Sequence, residues 1–220
     1  MNEETKVVNI EEKKEETKIE TPKEEKEGVI TLSRPYKFEG KEYNEIDLSK
    51  VKDLKVKDAI DIQKQLYSER EIAAIVTSET TTAFARAVAA KATGKPIEFF
   101  KFAPHRVSRK VVGVVQQAMN SYTEIDDHVM KFEKPYEFEG KVYNEIDLSG
   151  VADITSMNES EAENKLVRAG FQIAEVTSLY LYNCIIASMA TGLPEEFFTG
   201  LPFSETVKLK IAVNDPDFFE

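Results

Sequence analysis

The 220-residue chain has no tryptophan, two histidines and a single cysteine, Cys184. One cysteine closes no internal disulfide. Nor is there a run of about 18 apolar residues, the length a membrane-spanning helix needs. The N-terminus is charged from Glu3 onward, without the apolar segment of a signal peptide. Basic residues are in deficit, 29 against 40 acidic, for a net charge of −11. That balance argues against a nucleic-acid binder working by phosphate neutralisation. The expectation is a soluble protein of a reducing, intracellular compartment. Apolar residues make up 41% and aromatic residues 10%, enough for a real core in one large domain or two small ones.

Residues 1–28 stand apart, with ten Glu, six Lys and few large aliphatic residues. So little apolar surface does not offset the entropy of ordering, and a disordered charged arm is expected. A solubilising or partner-recruiting tail is the functional reading of this arm. A solvated leader without specific contacts is the favoured one.

The remainder contains a duplication. Residues 35–51 read PYKFEGKEYNEIDLSKV and residues 135–151 read PYEFEGKVYNEIDLSGV, identical at 14 of 17 positions. A second block follows in the same order, TGKPIEFF at 93–100 and TGLPEEFF at 191–198. Pro104 and Lys110 then match Pro202 and Lys208. Ordered blocks imply a duplicated domain, and two units are too few for a solenoid. The expected organisation is an arm over 1–28, a first repeat over 29–122, a linker over 123–128 and a second repeat over 129–220.

Each repeat opens with alternating apolar residues around Glu39-Gly40 or Glu139-Gly140, which signals a hairpin with a two-residue turn. That register predicts Tyr36 opposite Tyr43 and Arg34 opposite Glu45, with Tyr136/Tyr143 and Lys134/Glu145 in the second repeat. Helices should follow. The first covers Asp58–Tyr67 or Glu159–Phe171, with Ser156 and Glu159 as a capping box. The second ends at Gly94 or Gly192. A short helical turn opens at Pro96 or Pro194 as its first residue. A last helix begins near Pro104 or Pro202, with Val107, Val111, Val114, Val115 and Ala118 on one face. The fold class is α+β: two similar domains, each an N-terminal β-hairpin followed by three to four helices, after the disordered arm.

Chemistry-bearing patterns are weak. His128 lies beside Asp126 and Asp127, but metal-ligand spacing and a third anchored group are missing. Cys184 sits in an apolar helical run without a base, and reads as core. Thr93-Gly94-Lys95 lacks the rest of a phosphate loop. Glu45, Asp47, Glu145 and Asp147 have no proton-donor partner. The basic residues His105, Arg106, Arg109 and Lys110 are not kept as a set in the second repeat. No catalytic, cofactor-binding or metal-binding residue is therefore assigned, and no enzyme is expected.

Apolar surface is the unusual feature. The segment from Leu179 to Met189 is apolar nearly all round when wrapped on a helix. Such a helix is either fully buried, with the first repeat one surface that could cover it, or keeps a face for a partner. Phe-Phe pairs recur at 99–100, 197–198 and 218–219, the last in a terminal Asp-Pro-Asp-Phe-Phe-Glu peptide. The candidate partner-binding residues are Leu179, Tyr180, Tyr182, Ile186, Phe197, Phe198, Phe218 and Phe219.

The repeat resembles the tail assembly chaperones of tailed bacteriophages, small proteins encoded just ahead of the tape-measure protein. The resemblance rests on Pro135, Phe138, Gly140, Lys141, Tyr143, Glu145, Ile146, Asp147 and Leu148, then on Thr191, Gly192, Leu193, Pro194 and Glu195. The first repeat departs from it at Lys95 and Ile97. It spans nearly all of 29–219, twice, whereas family members usually carry one unit and no charged arm. The resemblance implies a non-catalytic protein of the infected bacterial cytoplasm. Such a protein binds the tape-measure protein and keeps its apolar helices soluble until the tail tube polymerises. The tail tube protein and self-association are further candidate contacts, and no cofactor is expected. The competing readings are a structural tail component retained in the virion, and a host interaction module of two α+β domains.

Overall fold

The computed structural model describes residues 27–71, 73–74, 77–120, 125–126, 128–172 and 175–215. The expected disordered arm falls, but for its last two residues, outside the described residues. Two similar units follow one another, each an antiparallel hairpin followed by helices. The first unit comprises β1 (Val29–Phe38), β2 (Lys41–Asp47), α1 (Val56–Ser68), α2 (Thr82–Thr93), α3 (Ile97–Lys101) and α4 (His105–Met119). A two-residue strand, β3 (Ile125–Asp126), lies within the expected linker and pairs with β4. The second unit comprises β4 (Val129–Phe138), β5 (Lys141–Asp147), α5 (Ser156–Arg168), α6 (Tyr180–Thr191), α7 (Glu195–Thr199) and α8 (Thr206–Val213). A 3₁₀ turn follows each hairpin, and another, Phe203–Glu205, leads into α8.

Both hairpins close on the expected two-residue turn, with Phe38 opposite Lys41 and Phe138 opposite Lys141. Glu39 and Gly40 have φ of 48° and 76°, and Glu139 and Gly140 have 50° and 76°. Two successive positive φ angles match the strand twist of a tight hairpin. Tyr36 faces Tyr43 and Tyr136 faces Tyr143, as the register predicts. The charge pairs differ. Thr31, not Arg34, is opposite Glu45, and Lys131, not Lys134, is opposite Glu145. A bulge between Thr31 and Tyr36, and between Lys131 and Tyr136, slips the register. Pro35 and Pro135 lie inside it, where proline has no N–H to give the ladder.

The bulge carbonyls are taken up by the last helical segment of each unit. Lys110 Nζ donates to Thr31 O at 2.8 Å, and Arg106 Nη2 donates to Arg34 O at 3.0 Å and Pro35 O at 3.2 Å. In the second unit Lys208 donates to Lys131 O, and the Glu205 carboxylate accepts from Glu133 N–H at 3.0 Å. Glu205 and Lys208 also form a buried ion pair at 2.8 Å. Arg106 and Lys110 thus have structural work, which accounts for half of the basic cluster on α4.

The helix boundaries follow local chemistry. Gly94 and Gly192 end α2 and α6 with φ of 65° and 71°, the left-handed conformation glycine adopts freely. Pro96 and Pro194 stand one residue earlier than expected, as N-caps of α3 and α7. The capping box of α5 is formed by Thr155 and Asn158 rather than Ser156 and Glu159, because the helix begins one residue earlier than that pairing requires.

The two conserved blocks of each repeat meet in one aromatic cluster. Phe99 on α3 makes edge contacts with Tyr36, Phe38, Tyr43 and Phe100 at centroid distances of 5.0, 5.3, 4.9 and 5.0 Å. Phe197 on α7 does the same with Tyr136, Phe138, Tyr143 and Phe198 at 5.2, 5.3, 4.8 and 5.0 Å. Such pairs add about 0.5–1.5 kcal/mol each beyond their burial.

The units differ where α6 meets its neighbours. A Cβ at Gly150 would collide with the Ala190 backbone on α6, whereas the matching residue of the first unit, Lys50, is exposed. Gly150→Ala should therefore destabilise the fold by about 1–3 kcal/mol, as overpacking against backbone does, while Lys50→Ala stays within about 0.5 kcal/mol. Urea denaturation of the two variants checks this difference.

Candidate functional site

Six of the eight candidate partner-binding residues are core. Leu179, Tyr180, Tyr182, Ile186, Phe197 and Phe198 are all buried, and Tyr182, at 7%, is the most exposed of them. None presents a surface to a partner in this conformation. Phe218 and Phe219 lie outside the described residues. Phe197 and Phe198 fill the aromatic cluster beneath the second hairpin. The other four belong to α6 and its approach, which is covered by its own unit and by the first unit together.

This seam between units is built on α1. Val56, Ala59, Ile60, Gln63 and Tyr67 follow a helical spacing, and all are buried. The α1 helix lies against α6, α7 and the 3₁₀ turn before α8. A short stretch of strand-like pairing fixes the contact: Val56 N–H donates to Leu201 O at 3.0 Å, and Phe203 N–H donates to Leu54 O at 2.9 Å. Tyr67 makes an edge contact with Phe171 at 5.7 Å, and Phe84 with Tyr180 at 6.0 Å.

At the centre of the seam is a buried polar knot. Gln63 is fully buried and uses both ends of its amide. Its Nε2 donates to Ser78 Oγ and to Ser178 O, each at 2.9 Å, and its Oε1 accepts from Tyr180 N–H at 3.0 Å. The Tyr180 hydroxyl donates to Glu79 Oε2 at 3.0 Å, and Lys210 Nζ pairs with Glu79 Oε1. Glu79 belongs to the first unit and both of its side-chain partners to the second. Burial pushes the Glu79 carboxyl up, but the Lys210 ammonium and the Tyr180 hydroxyl outweigh it and hold the group below its usual value. Burial, reinforced by the Glu79 charge, holds the Tyr180 phenol well above its usual value.

Sequence reasoning missed Gln63, Glu79 and Lys210. The available signal was the contrast between α1 and its repeat partner α5. Where α1 has Val56, Ala59, Ile60 and Gln63, α5 has Ser156, Glu159, Ser160 and Glu163. Ser156, Glu159 and Ser160 are exposed.

The remaining candidates have structural settings. His128 has φ of 61°, and its carbonyl accepts from Leu148 N–H at 3.0 Å, matching Gly28 (φ 76°) and Leu48 at 2.8 Å. Cys184 is fully buried, and burial pushes its thiol far up, opposite to the shift a nucleophile needs. Among the described residues no three His, Cys, Asp or Glu side chains are placed to hold a metal ion, and no helix is long and apolar enough to cross a membrane. Large apolar side chains do reach the surface at Phe102, Val142, Met157, Val167 and Ile211. A shallow open groove of about 540 Å³ runs along α5, lined by Ser156, Met157, Ser160, Glu161, Asn164 and Arg168.

Comparison with family models, with curated proteins and with solved structures finds no match.

The polar knot sets a pH dependence. Because the Glu79 carboxyl is lowered from about 4.5, its stabilisation is complete above that pH and is lost as pH falls through the folded value. Tyr180 gives the opposite limb: its phenol is raised from 10.0, so stability declines as pH rises beyond that value. Urea unfolding across pH 3–7 should show a steeper acid loss in the parent chain than in Glu79→Gln. Equal acid slopes would remove Glu79 from this account.

Proposed function

We propose that the chain is a phage tail assembly chaperone: a non-catalytic protein that binds the tape-measure protein in the host bacterial cytoplasm and keeps its apolar helices soluble during tail tube assembly. One observation carries the reading. The residues on which the family resemblance rests are not scattered. In each unit the hairpin block, with Phe138, Gly140 and Tyr143 or their counterparts, packs on the helix opened by the second block. The resembling motifs thus make one structural element, present twice.

The physics supports the role. A net charge of −11 keeps a complex with apolar helices dispersed. Since α6 and the phenylalanine pairs at 99–100 and 197–198 are core, capture falls to exposed apolar positions such as Val142 on β5 and Ile211 on α8. Helix-in-groove contact is the mode such side chains suit.

Coexpression with the tape-measure protein encoded beside it tests the proposal. The expected result is a soluble complex that copurifies, with recovery lowered at least severalfold by Val142→Lys and Ile211→Lys together, and no copies of the chain in purified virions. An insoluble tape-measure protein, with this chain eluting alone, would contradict the chaperone reading. Many copies in the virion would instead favour a structural tail component.

A further inference from the structure

One surface of this acidic molecule is basic throughout. Between Glu98 and Glu124 the chain has no acidic residue, yet it carries Lys101, Arg106, Arg109 and Lys110, with His105 among them. All five are exposed, on α4 and the turn before it. So is Arg34 on β1, whose carbonyl accepts from Arg106. Arg106 and Lys110 donate to neutral carbonyl oxygens, and none of these six side chains pairs with a carboxylate among the described residues. Phe102, exposed at 72%, stands next to Lys101.

The second unit does without such a face. Thr199, Phe203, Ser204 and Val207 stand where the first unit has Lys101, His105, Arg106 and Arg109. Its remaining cation there, Lys208, is buried and paired with Glu205, which takes the position of Val107. The first unit holds more positive charge and has no such carboxylate. What it has instead is the charged arm in front of it. Residues 1–26 carry nine Glu against six Lys, with Glu-Glu pairs at 3–4, 11–12, 15–16 and 24–25, and with Val7, Val8, Ile10 and Ile19 between them. The arm joins β1 through Gly28, three residues before Thr31, whose carbonyl accepts from Lys110. In the second unit the chain entering the hairpin doubles back along it, Asp126 pairing with Val129 and Ile125 with Met130.

We propose that the arm, residues 1–26, docks on the basic face of α4 in its own chain, its glutamate pairs against Arg106, Arg109 and Lys110 and its aliphatic side chains against Phe102. The course seen before the second hairpin, followed from Gly28, leads the arm back past Thr31 toward these cations. Twenty-six residues extend to about 85 Å, so the whole face is within reach. Each exposed ion pair is weak. Tethering, however, holds the arm at an effective concentration of about a millimolar, so several weak contacts together suffice. The docked arm shields this surface from competing anions, and salt releases it. This inference stands on charge and on the contrast between the repeats, and does not depend on the chaperone reading.

Paramagnetic relaxation in the full chain tests it. Cys184 is fully buried, so Asn9→Cys supplies one accessible thiol for a nitroxide label. Amide signals of α4 from His105 to Gly113 should lose about half or more of their intensity at low salt, with those of α5 unchanged, and recover at about 0.5 M salt. Lys101→Glu with Arg109→Glu should abolish the effect, and so should Glu11→Lys with Glu12→Lys. Combining the two reversals should restore it, which lost folding or a general charge effect would not do. Should the α4 variant fail to fold, the arm variant carries the test. Broadening that is absent, spread evenly over the molecule, or indifferent to salt and to both reversals would overturn the proposal. Broadening that instead passes between molecules, in a mixture of spin-labelled and isotope-labelled chains, would assign the face to the arm of a second copy and overturn docking within the chain.

Discussion

Helix α6 has almost no polar face to give to water, and this constraint organises the molecule. From Tyr180 to Ala187 only Leu181 escapes full burial, and even it packs against the core. A unit of some 90 residues has too little interior to surround such a helix by itself. The first repeat supplies the missing wall through α1, and the two repeats share one hydrophobic core. Gln63 then fixes how the wall sits. A buried amide whose donor and acceptor are both satisfied tolerates little sliding, because any slip would leave a polar group unpaired in an apolar setting.

The duplication diverged around that contact. Both units keep the hairpin, its bulge and the phenylalanine beneath it, and both use a lysine of the last helix to take up the same bulge carbonyl. Divergence is concentrated on the joining surfaces. The α1 face is apolar where its counterpart on α5 is polar. The corner before α8 carries Leu201 and Phe203 where the first unit carries Ala103 and His105. Arrays of repeats commonly end in units with polar outer faces, and the two outer faces here fit that pattern.

Much of the fold was legible in the sequence because the relevant signals are local. The Glu-Gly turns, the glycines closing α2 and α6 and the prolines opening the short helices each act within a few residues. The strand register was only half legible. The Tyr36–Tyr43 pair follows from the turn, but the bulge depends on Pro35 and on Arg106 and Lys110, over 70 residues away. The burial of six candidate partner-binding residues was hidden for a related reason. An all-apolar helix signals burial or a partner with equal force, and the deciding fact is the apolar face of α1, on a different repeat. Gln63 looked like one more polar helix residue, because a single glutamine carries no sign of its burial. Comparing α1 with α5 position by position exposes the asymmetry, and the duplication makes that comparison possible.

The chaperone reading presupposes that the two repeats form one body with fixed outer surfaces. Hydrogen exchange followed by mass spectrometry under native conditions tests that premise most directly. A shared core predicts that the slowest amides of α1, α2 and α6 exchange with one common opening free energy and respond together to added denaturant. Loss of protection in α6 and the second hairpin, at a denaturant concentration that leaves α1 and α2 protected, would contradict it and show two repeats that are merely tethered.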